Sequence, residues 1–469
     1  SEIKALLAAD VKTTVDAQAV SDFLSLMYVP GSRSVFAEVS KLPPASVLVW
    51  DDDGYRVHRY WDLAQRARPA PVRAAAARHR LRELITASVD AQLAADVPVG
   101  FFLSGGVDSG TVVAAARAAR PDQELRTFSV GFTDPSYDER RAAAAVARRF
   151  GCRHTDLVVR PRADDIAGGM ATSFDEPFAD PSMIPTYYLC RLARAHVTVA
   201  LSGDGGDELF AGYATYQADK LARYYRRLPR TLTAGAVPAL VGLLPRSERR
   251  MPLSFRARRF ADNAVAQPGR SHYLWRVVLS EQRKAALLHP DVAAGLEDTY
   301  ATHEPHYRDG AHLDPLTRFQ YTDARVYLVD DVLTKVDRAS MAHSLEVRVP
   351  LLATPVVEYA FSLPGRLKMP GLRTKKLLRD AMRGTLPPGV LRARKRGFNA
   401  PLAQWLRTDL RPLVEDFLAP DLVRRHGYLR APAISAMVGR HLRADADHSR
   451  ELWAALVLSM WAERHGAPR

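Results

Sequence analysis

The chain has 469 residues, 47% of them hydrophobic, and a formal net charge of +14. That length allows two or three domains with sizeable cores. The longest apolar run, residues 232 to 244, is interrupted by Gly235, Pro238 and Gly242 and falls short of the ~20 residues that span a membrane. Cys152 and Cys190 stand alone, without a CxxC, which argues against a disulfide framework or a zinc site.

The opening Ser1-Glu2-Ile3-Lys4 lacks a signal-peptide layout, so a cytoplasmic protein is expected. The arginines are spread over segments such as 66–82 and 223–230 with no RNA-reading motif. They read as solvated helix faces rather than a nucleic-acid surface. Residues 1–62 form a first segment. In it, Ser21 to Tyr28 reads as a short helix, and Val47-Leu48-Val49-Trp50 pairs with Tyr55 to Tyr60 across Asp51-Asp52-Asp53-Gly54 as a hairpin. So small a segment is expected to be the tail of a larger domain. Residues 63–71 read as a linker.

From residue 72 onward helices and strands alternate. Leu81, Leu84, Ile85, Val89 and Leu93 share one helix face, and Pro98 to Phe102 reads as a buried strand. Strands at 126–132, 156–159 and 197–201 and helices at 107 onward, 138–150 and 184–195 continue the rhythm. The expected fold is α/β, a parallel doubly wound sheet with helices on both faces and a mostly helical C-terminal half. Ligands in such folds sit at the carboxyl ends of the strands.

Two loops at strand ends carry the chemistry. The first is Leu103-Ser104-Gly105-Gly106-Val107-Asp108-Ser109-Gly110, where glycines admit an oxyanion, serines add donors and helix amides face negative charge. It is neither a Walker loop nor GxGxxG. Asp108 would repel phosphate unless a divalent cation lay between, so nucleotide and Mg2+ are expected together. The competing reading is a plain glycine turn. The second loop, Ser202-Gly203-Asp204-Gly205-Gly206-Asp207-Glu208-Leu209-Phe210-Ala211-Gly212-Tyr213, repeats this chemistry, and would put Asp207 on the same sheet edge as Asp108.

These loops, together with Lys335-Val336-Asp337-Arg338-Ala339-Ser340-Met341-Ala342-His343-Ser344-Leu345-Glu346-Val347-Arg348-Val349-Pro350 and Lys395-Arg396-Gly397-Phe398-Asn399-Ala400-Pro401-Leu402, resemble the synthetase half of glutamine-hydrolysing asparagine synthetases. The resemblance spans residues 72–465 and implies a fold of the PP-loop, adenine nucleotide alpha hydrolase-like type. Residues 1–62 resemble the closing part of that family's glutaminase domain, without its nucleophilic cysteine. By resemblance, Leu103 and Val130 border adenosine, and Ser202 and Gly203 close over it. Ser104, Gly105, Gly106 and Ser109 hold pyrophosphate, Asp108 and Asp207 bind Mg2+, Asp204 lines the acyl site, and Lys375 reaches the reacting phosphate of ATP. Lys376 reads as a solvated helix charge.

The implied reaction adenylates a carboxylate, foremost the side chain of L-aspartate, and passes the acyl group to ammonia or another amine, releasing AMP and pyrophosphate. Neither thiol is placed to hydrolyse glutamine, so a free amine is expected. A natural-product amide synthetase or peptide macrocyclase of the same family is the alternative, because Leu351-Leu352 leads to Ala353 where the family has an aspartate. Enzymes that modify tRNA lack the second loop's pattern. A non-catalytic ATP-binding regulator would not need Asp108, Asp207 and Lys375. A separate glutaminase chain, a peptide substrate and a homodimer are partners the resemblance leaves open.

Overall fold

The run Val99–Phe102 is buried along its whole length and forms the central strand of a five-stranded parallel sheet. The computed structural model describes residues 2–68, 70–243, 253–393, 397–398 and 400–466; Ser1 and, of the last sequence motif, Lys395, Arg396 and Asn399 lie outside these. A hairpin of β1 (Ser46–Asp51) and β2 (Gly54–Arg59) precedes the sheet. The sheet strands are β3 (Val99–Phe102), β4 (Arg126–Gly131), β5 (Arg153–Val158), β6 (Val199–Leu201) and β7 (Glu346–Arg348), in the order β5-β4-β3-β6-β7. Winding therefore reverses between β3 and β6, the position where open α/β sheets part their loops to make a crevice.

Side-chain alternation along these strands divides the interior in two. Val99, Phe101, Leu103 and Leu201 join the cluster that includes helices Ala74–Gln92, Val107–Ala119 and Arg140–Arg149. Phe102, Phe128, Val130 and Ala200 join the opposite cluster, with helices Met183–Arg194 and Ser449–His465. Helices cover both faces, as doubly wound sheets require. Beyond Tyr213 the described chain is helical apart from β7.

Some boundaries differ from the sequence reading. The strands expected at 126–132, 156–159 and 197–201 run over 126–131, 153–158 and 199–201. The expected linker contains a helical turn, Leu63–Arg66, capped by Asp62, with Leu63 and Ala67 buried. Arg348 lies on the edge strand β7. Its guanidinium donates to the carbonyls of Gln92 (2.7 Å) and Ala94 (2.8 Å) and to Glu346 Oε1 (2.6 Å).

The N-terminal segment is built into the same interior. Asp16 caps helix Ala17–Leu26, whose Val20, Phe23 and Leu24 join the core of the C-terminal helix. Lys284 Nζ, buried, donates to Ser21 Oγ and Thr299 Oγ1, both at 2.8 Å. The β1–β2 hairpin is the exception: Trp50 is 83% exposed and Tyr55 72%.

Among the helices, His272 is buried between two carboxylates, Nδ1 2.7 Å from Asp219 Oδ2 and Nε2 3.1 Å from Asp323 Oδ1. Carboxylates at both nitrogens require both ring N–H groups, hence the imidazolium. Burial opposes that charge, but Asp219 and Asp323 outweigh it and lift the pKa to about 9. A folded-state pKa above the ordinary 6.5 means a stabilisation complete below pH 6.5 and lost as pH rises through about 9. Chemical unfolding at pH 6.5 and 9.5 should show wild type losing on the order of 3 kcal/mol more than His272→Gln. Equal losses would refute the charged pair.

Candidate functional site

Both glycine loops leave the carboxyl ends of the neighbouring strands β3 and β6, at the winding reversal. In the first, Leu103 is buried and its N–H donates to Phe128 O (2.9 Å). Ser109 Oγ accepts from Ser104 N and lies beside Ser104 Oγ, both at 3.2 Å. Gly106 is the N-cap of helix Val107–Ala119, and Gly105 adopts φ +75°. Two hydroxyls and the first free amides of a 13-residue helix thus gather at one turn, an arrangement suited to phosphate oxygens. Val130, on β4, is buried and borders the loop's strand.

The second loop closes onto the first. A Cβ on Gly203 would lie 2.6 Å from the Ser109 N–H nitrogen and 2.9 Å from Asp108 C, so the backbones touch only because Gly203 has no side chain. Ser202 N donates to Arg348 O (2.8 Å), tying the loop to β7, and Ser202 Oγ donates to Asp204 Oδ2.

The loops bring Asp108 and Asp207 together, and the third member comes from far along the chain. Lys375 Nζ pairs with Asp108 Oδ2 and lies 2.5 Å from Asp207 Oδ1. Its side chain is 1% exposed. Lys375 stands in left-handed backbone (φ 53°, ψ 29°) as the N-cap of helix Lys376–Ala381, with its N–H on Phe210 O at 3.1 Å. That conformation is costly for lysine and persists where surrounding contacts fix it. Lys376 points elsewhere, into an i,i+4 pair with Asp380.

These residues fit a magnesium ion on stated grounds. Asp108 Oδ1 is buried with no hydrogen-bond partner among the described residues, and two facing carboxylates are the usual protein share of a Mg2+ site completed by substrate phosphates. Among the described residues no three His, Cys, Asp or Glu side chains group together as a metal cluster.

A second polar group went unassigned in the sequence. Lys335 Nζ, in the Lys335-Val336-Asp337-Arg338 motif, donates to Asp180 Oδ2 (2.9 Å) and Ser182 Oγ (2.8 Å). Burial works against its charge, yet Asp180 and Asp331 hold its pKa above the ordinary lysine value, and Asp204 adds to this. Glu208 is buried next to Asp207, its pKa pushed up to about 7 by burial and by that neighbour, and accepts from Tyr213 OH at 2.6 Å. The Asp-Pro-Ser stretch at 180–182 and the Lys-Val-Asp stretch at 335–337 carried no spacing rule that would have paired Asp180 with Lys335.

Burial raises both thiols: Cys152 is pushed up to about 11, and Cys190 rises further. Neither is an activated nucleophile. Among the described residues no helix is long and apolar enough to cross a membrane.

Comparison with known proteins agrees with this geometry. The family profile described as asparagine synthase matches residues 80–463, and that of a glutamine amidotransferase domain matches residues 1–61. Glutamine-hydrolysing asparagine synthetase 1 of Bacillus subtilis (strain 168) is 31% identical over 467 residues, covering 98% of this chain and 71% of the relative. A protein of Mycobacterium tuberculosis (strain ATCC 25618 / H37Rv) provisionally named a glutamine-hydrolysing asparagine synthetase is 33% identical over 461 residues, covering 96% of this chain and 68% of its own length. More distant is amidase chry2 of Gibberella zeae, 21% identical over 481 residues, with 93% of this chain and 70% of that one aligned. With two loops at the winding reversal, a lysine joining their aspartates and a family profile that covers most of its length, this chain belongs to the asparagine synthase family.

Proposed function

We propose that the protein is an ATP-dependent amide synthetase that activates a carboxylate as its acyl adenylate and transfers it to an amine, on a fold of the PP-loop type. The observation that carries this reading is the convergence of Asp108, Asp207 and Lys375 where the two loops meet. A carboxylate is a poor acyl donor because oxide would have to leave. Attack by the carboxylate oxygen on the α-phosphorus of ATP breaks the bond to the β-phosphate's bridging oxygen and releases pyrophosphate. The amine then adds to the acyl carbon, loses a proton and expels AMP.

In this reading Ser104, Gly105, Gly106 and Ser109 bind the departing pyrophosphate with hydroxyls and amides. Leu103 and Val130 flank the adenosine, and Ser202 and Gly203 close over it. Asp108 and Asp207 would hold Mg2+, which when bound neutralises phosphate charge. Asp204, which accepts from Ser202 Oγ, lines the acyl side. Lys375 meets the charge that grows on the reacting phosphate.

The side chain of L-aspartate with ammonia is the leading substrate pair, in line with the relatives' names. The amidotransferase match at residues 1–61 and the exposed hairpin within it support supply of the amine by a glutamine-hydrolysing domain. A second reading, a relative with another acid or amine, is favoured by one observation. Leu352 packs on the second loop, where a Cβ on Gly205 would lie 2.3 Å from it, and the next residue, Ala353, offers no carboxylate there.

With ATP, Mg2+, L-aspartate and ammonium, the nucleotide product should be AMP, equimolar with pyrophosphate. Chromatography of the nucleotides and a pyrophosphatase-coupled assay measure both. ADP as the sole product would overturn the reading, whereas AMP formed only with other acids would support the second.

A further inference from the structure

We propose that Lys375 is the built-in counter-cation of Asp108 and Asp207, so that a divalent cation gains these carboxylates only together with a polyphosphate. The inference rests on the nucleotide reading above and adds an order of binding to it. The Lys375 ammonium pairs with one oxygen of each aspartate. At those separations a metal ion cannot share the same two oxygens with it. Metal and lysine compete.

The competition is unequal because the lysine is enclosed. Its side chain is 1% exposed, its backbone is fixed through Phe210 O, and Gly212 leaves just the width its Cε needs: a Cβ there would lie 2.1 Å from it. A metal arriving alone would strip both anions from a buried ammonium whose ion pairs among the described residues are these two alone, and breaking a buried pair in this way is strongly unfavourable. Nor can the neighbouring cation take over the aspartates, because Arg379 donates its N–H groups to the carbonyls of Thr374 and Leu391. A polyphosphate removes the obstacle. It brings several negative charges to the Ser104 and Ser109 turn, gives Lys375 a new anion and gives the metal further oxygen ligands. Two carboxylates, one ammonium and one divalent ion sum to a single positive charge, which the phosphates more than balance.

Titration with Mn2+, followed by electron paramagnetic resonance, tests this directly. Without nucleotide, wild type should show no site at micromolar Mn2+, while Lys375→Met and Lys375→Gln should each bind one Mn2+ per chain at least tenfold more tightly than wild type. Adding the uncleavable α,β-methylene analogue of ATP should create one Mn2+ site in wild type that neither protein alone nor analogue alone reproduces. A micromolar Mn2+ site in nucleotide-free wild type would overturn the inference and leave the nucleotide reading standing, and this arm needs no variant to fold. Equal Mn2+ affinities of wild type and both uncharged variants would also overturn it. No protein-bound Mn2+ even with the analogue would remove the metal reading itself.

Discussion

Lys375→Ala should lower AMP formation at least 100-fold while the nucleotide still binds. The expected size follows from what is lost. A preorganised charged donor aimed at charge that develops in a transition state is commonly worth ~3 to 4 kcal/mol, and a group whose interaction with the phosphate strengthens there lowers kcat more than it weakens binding of the ground-state ligand. Nucleotide retention rests on other atoms, the Ser104 and Ser109 hydroxyls and the amides that open helix Val107–Ala119. Lys376→Ala supplies the control. Its ammonium is spent on Asp380 on a partly solvated helix surface, an i,i+4 pair of ~0.3 to 0.5 kcal/mol, so turnover should stay within about twofold, the rate equivalent of that energy. Initial rates of pyrophosphate release, beside fluorescence titration with an ATP analogue, separate the two outcomes. If Lys376→Ala were the damaging change, the register of this loop would have been misassigned.

How much of this could be read in advance varies with the range of the interaction. The strand, glycine turn and helix around Ser104-Gly105-Gly106 were legible because each signal is local: an apolar run, two glycines, then a string of small residues. The β3–β6 adjacency was legible only indirectly, through the repetition of the same loop chemistry. Lys375 could be assigned by resemblance, but its contact with Asp108 spans 267 positions and depends on a left-handed lysine that no propensity would favour. Lys335 and Asp180, 155 positions apart, left no periodic trace at all. Charge pairs of this kind are fixed by how elements dock, which hydrophobic pattern constrains only loosely. Arg348 shows the same limit, because its partners are the carbonyls of Gln92 and Ala94, exposed by the end of a helix some 250 positions earlier.

Gly212→Ala should be as damaging as loss of the lysine itself, although it removes no functional group. A Cβ at this position would lie 1.8 Å from Asp207 Oδ1 and 2.1 Å from Lys375 Cε, far inside any tolerable contact, so at least one of the two must move. Neither can do so without opening the ion cluster, since Lys375 is enclosed and Asp207 sits on the short helix Gly206–Phe210 that the loop itself positions. Overpacking of this kind costs typically 1 to 3 kcal/mol of stability, less than the 5 to 15 kcal/mol by which folded proteins usually exceed their unfolded states. The variant should therefore fold, melt a few degrees lower and lose about 100-fold or more in AMP formation. Gly389→Ala is the matched comparison: it lies in helix Pro388–Arg392 with nothing within 4 Å of a new Cβ, and replacing a helical glycine there should be neutral or slightly stabilising. Thermal unfolding and pyrophosphate release on the same preparations decide the matter. A Gly212→Ala enzyme with near-normal turnover would mean that Asp207 and Lys375 need not meet for the chemistry, and the cluster would then be a structural ion pair rather than the centre of the site.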